Sequence, residues 1–175
     1  MTLYGVLVWP HPELMRFIRA FQRDHQLAGY GVPHINLRSP FYWQGSEEEL
    51  KEKFHDLSRD LSTLTLSSCG WKRFPNVLYV SLESTPSFRE AHQMCRTLGG
   101  EPFKPVDGPD YLPHITVGLG IVPWEEEAVW QLAQQTYIPH LTWTCSELVL
   151  TKDVCGEFTI VDSVPLNRSS VLVDH

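Results

Sequence analysis

The chain contains 175 residues, of which 42% are hydrophobic and 20% charged, a composition typical of a globular protein rather than a disordered one. Its 14 basic and 21 acidic side chains leave a formal net charge of -7. This charge argues against a protein that coats long duplex DNA, because such proteins carry a basic surface. It is compatible with a small phosphate-bearing ligand in a local pocket. The length predicts one domain over residues 1–175.

Cysteine spacing and hydropathy indicate the cellular compartment of the protein. Cys69, Cys95, Cys145 and Cys155 show neither the spacing of a zinc site nor the density of a disulfide-rich secreted domain. We therefore expect reduced thiols. The first apolar run, residues 3–9, is too short to cross a membrane, and no basic leader precedes it. The sequence predicts a cytoplasmic protein without membrane contact.

The first half of the chain predicts alternating strands and helices. In chain order these are a strand over 3–9, a helix over 14–21, a strand over 34–38, a helix over 50–61 and a strand region over 64–74. Ser46 and Glu49 form a capping box at the start of the second helix. Pro33 and Pro40 bound the middle strand, and Gly70 is expected to interrupt the last one.

The second half predicts the same order of elements. They are a strand over 77–82, a helix over 88–98, a strand over 114–118, a helix over 124–136, and an antiparallel pair formed by 141–150 and 158–164. Thr85 is placed to cap the first of these helices, and Gly99 and Gly100 are placed to end it. The repeated order indicates an internal duplication with halves of about 1–75 and 76–175.

Two short motifs lie at corresponding places in these halves. One is Pro33-His34-Ile35-Asn36-Leu37, and the other is Pro113-His114-Ile115-Thr116-Val117. Strand alternation predicts that His34, Asn36 and Arg38 share one face and that His114, Thr116 and Gly118 share another. If the halves are related by a twofold axis, both polar faces converge on one cleft.

Such a pair of imidazoles suits phosphodiester chemistry. A neutral imidazole can take a proton from the attacking water or hydroxyl, and a protonated imidazole opposite can give one to the leaving oxygen. Asn36 and Thr116 can hydrogen-bond to the non-bridging oxygens. This scheme needs no metal and no cofactor. A single histidine of this kind on a strand is usually a half-buried residue without a catalytic role. Two histidines at matched positions favour a catalytic role.

The two motifs resemble the His-x-Thr/Ser-x motifs of the 2H phosphoesterase superfamily, which includes 2′-5′ RNA ligase-like proteins and cyclic nucleotide phosphodiesterases. The resemblance implies a bilobal α+β fold with an antiparallel sheet in each lobe, a central cleft, and both termini in one lobe. It implies catalytic roles for His34 and His114, phosphate binding by Thr116, and substrates with 2′,3′-cyclic or 2′-5′ phosphodiesters. Asn36 departs from the family, which usually has Thr or Ser there.

Several other residues are candidates for ligand contacts. Arg38 is a candidate phosphate ligand, because residues 118–120 lack the basic residue often found after the second motif; a solvated surface arginine is the alternative. Tyr111 and Tyr42 could stack on a base, and Lys104 lies in a proline-rich loop that could border the site. Packing between elements is the alternative for each aromatic residue.

The sequence thus predicts a metal-independent phosphoesterase that acts on RNA ends or small nucleotides. A second reading is a non-catalytic nucleotide or RNA-end binder that retains the cleft, which the departure at Asn36 and the acidic charge both favour. A metal-dependent hydrolase is disfavoured, since no Asp or Glu cluster accompanies the histidines. We expect a monomer that binds neither long duplex DNA nor membranes.

Overall fold

The computed structural model of the protein describes residues 2–102, 108 and 110–166. It has four helices in this part of the chain: α1 (Pro12–Asp24), α2 (Glu47–Asp60), α3 (Pro86–Arg96) and α4 (Glu126–Gln135). The strands are β1 (Thr2–Val8), β2 (Ile35–Tyr42), β3 (Leu64–Phe74), β4 (Val77–Leu82), β5 (Glu101–Pro102), β6 (His114–Leu119), β7 (Thr142–Cys145), β8 (Glu147–Val154) and β9 (Glu157–Pro165).

The strands form two antiparallel sheets, which confirms the α+β class. The five-stranded sheet has the order β5-β2-β1-β8-β9, and the four-stranded sheet has the order β6-β4-β3-β7. Each sheet draws strands from both sequence halves, because β3 pairs with β4 and β8 pairs with β1. The first and last described strands, β1 and β9, lie in the same sheet, as the resemblance implies.

Helix ends follow the local signals in the sequence. Ser46 and Glu49 form the expected capping box of α2, and the Thr85 hydroxyl accepts a hydrogen bond from the Phe88 amide at 3.2 Å. After α3, Gly100 has a φ of +83°, and an added Cβ would lie 2.5 Å from the Tyr42 carbonyl oxygen. Only glycine fits this position, so the chain turns there towards β5.

Three strands differ from the sequence predictions. β2 continues beyond Pro40, which lies in a β-bulge where its missing N–H costs no ladder hydrogen bond. β3 continues through Gly70 with a bulge at the preceding residue instead of a break. The segment 141–150 is not one strand: β7 and β8 are separated at Ser146 and belong to different sheets.

Helices cover the outer face of each sheet and enclose one continuous hydrophobic core. α2 packs on strands of the five-stranded sheet, α1 and α4 pack on strands of the four-stranded sheet, and α3 contacts β2 of the first sheet and β3 of the second. Fully buried members of the core include Leu14, Ile18, Phe54 and Phe88. This arrangement leaves the opposite face of each sheet available for a cleft. None of the helices in the described part of the chain is long and apolar enough to cross a membrane.

Candidate active site

The two motif histidines lie at the start of β2 and β6, where the two sheets meet. His34 immediately precedes the first residue of β2, His114 is the first residue of β6, and the two strands contact each other. Both side chains are half-buried. These histidines line a space between the two sheets, which we call the cleft.

Both imidazoles are held by the same hydrogen bond. His34 Nδ1 lies 2.7 Å from the carbonyl oxygen of Val32, and His114 Nδ1 lies 2.8 Å from that of Leu112. A carbonyl oxygen only accepts, so each Nδ1–H donates. In its neutral form each ring therefore carries an unprotonated Nε2 that can accept a proton. The carbonyl two residues upstream fixes the tautomer in both halves.

Burial lowers the pKa of both histidines, and charge repulsion from His114 also lowers that of His34. Desolvation is the main cause that lowers the pKa of His34 and of His114 below the ordinary histidine value. The positive charge of a protonated His114 lowers the pKa of His34 further. Both rings therefore favour the neutral form, and protonation of His114 disfavours protonation of His34.

A β-bulge follows the first motif. Asn36 pairs with Leu7, but the next ladder pair joins Arg38 to Val6, so two steps along β2 match one step along β1. Because paired residues share a face and successive residues alternate, this bulge turns Arg38 away from the face of Asn36. The prediction that Arg38 shares the face of Asn36 is therefore wrong.

The second motif carries the same bulge at the same place. Thr116 pairs with Tyr79, and the next ladder pair joins Gly118 to Leu78. Gly118 is therefore turned towards the core, where an added Cβ would meet the Ile121 side chain at 3.0 Å. Gly118 does not share the face of Thr116, contrary to the alternation prediction. The matched bulges support a common structural origin of the two halves.

Each bulge is supported by a side chain from a helix of the opposite half. His92 on α3 hydrogen-bonds through Nδ1 to the carbonyl oxygen of Leu37 at 2.7 Å. Gln22 on α1 donates to the carbonyl oxygen of Val117 at 2.9 Å. Both carbonyls belong to the residue directly after Asn36 or Thr116. These bonds help to fix the bulge that aims each motif side chain into the cleft.

Asn36 and Thr116 occupy equivalent positions in the cleft. Both are half-buried, and neither side chain hydrogen-bonds to a residue in the described ranges. An amide and a hydroxyl at these positions can therefore donate to a ligand without first breaking a protein hydrogen bond.

Arg38 lies in the interior, not in the cleft. Its side chain lies under α3, where it donates to the carbonyl oxygens of Cys95 at 3.4 Å and Gly100 at 3.2 Å. Its Cζ lies 3.8 Å from the centre of the Phe41 ring, and only 3% of the residue is exposed. The structure thus gives Arg38 a role in tying β2 to the end of α3.

The candidates for base stacking lie at different distances from the histidines. Tyr111 is next to His114, with ring centres 5.8 Å apart, but its ring stacks on His92 at 4.7 Å. Tyr42 ends β2, six residues beyond Asn36 or about 20 Å at ~3.3 Å per residue, so the structure does not bring it to the histidines. Lys104 lies outside the described residues.

The structure brings other aromatic residues to the histidines. Phe158 stacks on His34 with ring centres 5.7 Å apart and an interplanar angle of 19°. Tyr79 lies 5.2 Å from His114, and Phe74 stacks on Tyr79 at 4.6 Å. Sequence reasoning missed all three residues. Tyr79 could have been found by pairing the strand 77–82 with the second motif, whereas Phe158 depends on the β1–β8–β9 order.

A pocket beside His34 is lined by polar groups as well as Phe158. Asp153 and Thr151 face this pocket from β8, and Tyr30 closes its rim. The Tyr30 hydroxyl donates to Asp153, and the Gly156 amide donates to the same carboxylate at 2.7 Å. The His34 side of the cleft is therefore acidic. Within the described ranges, no group of three or more His, Cys, Asp or Glu side chains is placed to hold a metal ion.

Residues 10–156 match the family model of the 2′-5′ RNA ligase superfamily. The chain belongs to this superfamily. The match includes both motifs, all of the four-stranded sheet, and β2, β5 and β8 of the five-stranded sheet. It confirms the resemblance to 2H phosphoesterases. A comparison with curated proteins finds no match.

Solved structures of similar fold cover nearly the whole chain. E. coli LigT complexed with 3′-AMP has a TM-score of 0.63 at 14% identity, covering 95% of this chain and 99% of LigT. TT0787 of Thermus thermophilus has a TM-score of 0.65 at 17% identity, covering 96% and 100%. Kluyveromyces marxianus Usb1 has a TM-score of 0.52 at 16% identity, covering 94% and 97%. At these identities the likeness establishes a shared fold.

Proposed function

We propose that this superfamily member is a metal-independent phosphoesterase that acts on 2′,3′-cyclic or 2′-5′ phosphodiesters of RNA ends or small nucleotides. The observation that carries the proposal is the matched pair His34 and His114, each with Nδ1–H bound to a carbonyl and Nε2 left for proton transfer. Nucleotide ligands in related folds support the substrate class, since LigT is described in complexes with 3′-AMP, phosphate and ATP.

In the proposed reaction one histidine is neutral and the other protonated. The neutral Nε2 takes a proton from water as its oxygen attacks phosphorus, and the protonated Nε2 gives a proton to the oxygen whose bond to phosphorus breaks. A 2′,3′-cyclic phosphate is thereby opened to a phosphomonoester and a free hydroxyl. A protonated His114 lowers the pKa of His34, which disfavours the doubly protonated state.

Asn36 and Thr116 are assigned to the non-bridging oxygens. Negative charge builds up on these oxygens as water attacks, and donors already aimed at them stabilise the transition state more than the ground state. The two donors come from matched positions on β2 and β6, so they would hold the phosphoryl group from two sides. In this proposal the two donors hold phosphorus between the two Nε2 atoms.

The second candidate is a protein that binds the same ligands without turning them over. The observation in its favour is Asn36, an amide where the resemblance leads one to expect a hydroxyl. An amide reaches further than a hydroxyl and could hold the phosphate away from the line between the histidines.

A panel of 2′,3′-cyclic mononucleotides and 2′-5′-linked dinucleotides, assayed with and without chelator, separates these functions. The phosphoesterase proposal expects hydrolysis that the chelator leaves unchanged and that the double variant His34→Gln/His114→Gln loses. His55→Gln is the matched control, because that histidine lies on α2 and its Nε2 is 2.8 Å from the Asp162 carboxylate. Ligand binding without hydrolysis would favour the binder. Activity lost in chelator and restored by a divalent ion would refute the metal-independent scheme.

A further inference from the structure

The β3–β4 hairpin places a row of side chains beside the second motif. Lys72 pairs with Tyr79 in one ladder, and Tyr79 pairs with Thr116 in the next. Paired residues share a face of the sheet, so all three lie on the cleft side. With strands about 4.8 Å apart, the Cα atom of Lys72 lies roughly 10 Å from that of Thr116.

Lys72 has an exposed ammonium group that is not neutralised within the described residues. It forms no hydrogen bond or ion pair there. Its neighbour Arg73 points to the opposite face, where it forms an ion pair with Glu127 at 2.9 Å and lies over the Trp130 ring. Arg73 is thus paired with a carboxylate on the far face, whereas the positive charge of Lys72 lies on the cleft side. The whole chain has a formal net charge of -7.

Phe74 adds an apolar surface two residues further along the hairpin. It is 48% exposed, although one side of its ring stacks on Tyr79 with an interplanar angle of 24°. Its ring centre lies 6.5 Å from that of His114. An exposed aromatic ring held beside the proposed phosphate site can stack on a nucleobase. Any of the bases can stack in this way, because each has a π face.

The opposite side of the cleft has the opposite charge. The pocket at His34 contains the Asp153 carboxylate, which hydrogen bonds from Tyr30 and Gly156 hold in place. A second phosphate on that side would meet like charge. A ligand with more than one phosphate is therefore favoured to extend from the histidines towards Lys72.

We propose that the β3–β4 hairpin binds the nucleotide next to the reacting one, with Lys72 on its backbone phosphate and Phe74 on its base. The preferred substrate is then the end of a short oligonucleotide rather than a mononucleotide. This inference rests on the proposed function, since it takes the reacting phosphate to lie between His34 and His114.

The test compares kcat/KM for a 2′,3′-cyclic mononucleotide with kcat/KM for a di- and a trinucleotide that end in the same cyclic phosphate. We expect the oligonucleotides to be preferred. Phe74→Ala should lower their kcat/KM by about 5- to 100-fold, the usual range for one stacked base. Lys72→Met should reduce the salt dependence of their binding by about one phosphate contact. Lys72→Met should change kcat/KM for the mononucleotide by no more than about twofold, and Phe74→Ala should lower kcat/KM more for the oligonucleotides than for the mononucleotide.

Two surface variants control for nonspecific effects. Lys53→Met removes an exposed lysine from α2, and Tyr137→Ala removes an aromatic side chain that is 75% exposed; both should leave all three substrates unaffected. Equal kcat/KM for mononucleotide and oligonucleotides in the unaltered protein would overturn the inference while leaving the phosphoesterase intact. So would a Lys72→Met variant that lowers kcat/KM equally for every substrate, because Lys72 would then contact the reacting phosphate.

A binding assay keeps the inference testable if no substrate is hydrolysed, an outcome that refutes the enzymatic proposal. The probe is a fluorescent 2′-O-methyl trinucleotide with a 3′-phosphate, followed by anisotropy. Weaker binding to Lys72→Met and Phe74→Ala, at unchanged affinity for inorganic phosphate, supports the hairpin subsite. Unchanged binding of the trinucleotide to both variants refutes it.

Discussion

Replacing Asn36 tests how the cleft holds a phosphoryl group. The amide is half-buried on the cleft face and donates to no residue in the described ranges. Asn36→Ala therefore removes no hydrogen bond from the free protein, and its free energy of unfolding should change by less than about 0.5 kcal/mol. Any large effect must then appear in the bound transition state.

The size of that effect follows from the charge that the amide faces. A donor aimed at developing charge in a desolvated site contributes about 2.7–4 kcal/mol, or about 10²–10³ in kcat. We expect Asn36→Ala to lower kcat within that range with a smaller change in KM. Thr116→Val should give a loss of the same order, because Thr116 holds the equivalent place on β6. Asn36→Thr keeps a donor of shorter reach and should change the preference among cyclic nucleotides.

Steady-state kinetics on the cyclic-nucleotide panel, with thermal unfolding as a check of folding, measures these effects. Identical kinetic constants for the unaltered protein, Asn36→Ala and Asn36→Thr would show that this amide never contacts the phosphate. The assignment of the first motif's cleft face would then be wrong. An Asn36→Thr variant that gains turnover on a 2′,3′-cyclic nucleotide would instead favour the binder.

Two further predictions follow from the surroundings of the site. Because burial lowers the pKa of both His34 and His114, kcat/KM should follow a bell-shaped pH profile with its optimum below about pH 6.5; an optimum above pH 7.5 would contradict the singly protonated pair. Arg38→Leu removes buried hydrogen bonds and the contact with Phe41, which should cost about 2–3 kcal/mol and lower Tm by about 4–12 °C. A variant with unchanged Tm but much weaker phosphate binding would show that Arg38 contacts the ligand in the cleft and is not a buried structural residue.

The local features of the fold could be predicted from the sequence because their causes are local. The capping box of α2 and the Thr85 cap of α3 depend on residues three positions apart. The two motifs could be aligned with each other because each follows a proline and begins a strand. The expectation that His34 and His114 face one cleft rests on that repeat.

The remaining features depend on pairing between distant strands. Simple alternation placed Arg38 beside Asn36, but the register with β1 introduces a bulge between them. The segment 141–150 contains no glycine or proline that would mark a break at Ser146. The change of sheet follows only from the strand partners, because β7 pairs with β3 and β8 pairs with β1. Phe158 reaches His34 through the β8–β9 pairing, which no spacing within its own segment indicates.

The central claim is that His34 and His114 act together on one phosphodiester, and turnover by the single variants His34→Ala and His114→Ala tests it most directly. Each variant should remain folded, because both rings face the cleft rather than the helix-covered core. Each should lose about 10²–10⁴ in kcat on the best cyclic-phosphate substrate, the usual contribution of a general acid or base. A folded variant of either histidine that keeps near-normal kcat would contradict the two-histidine mechanism.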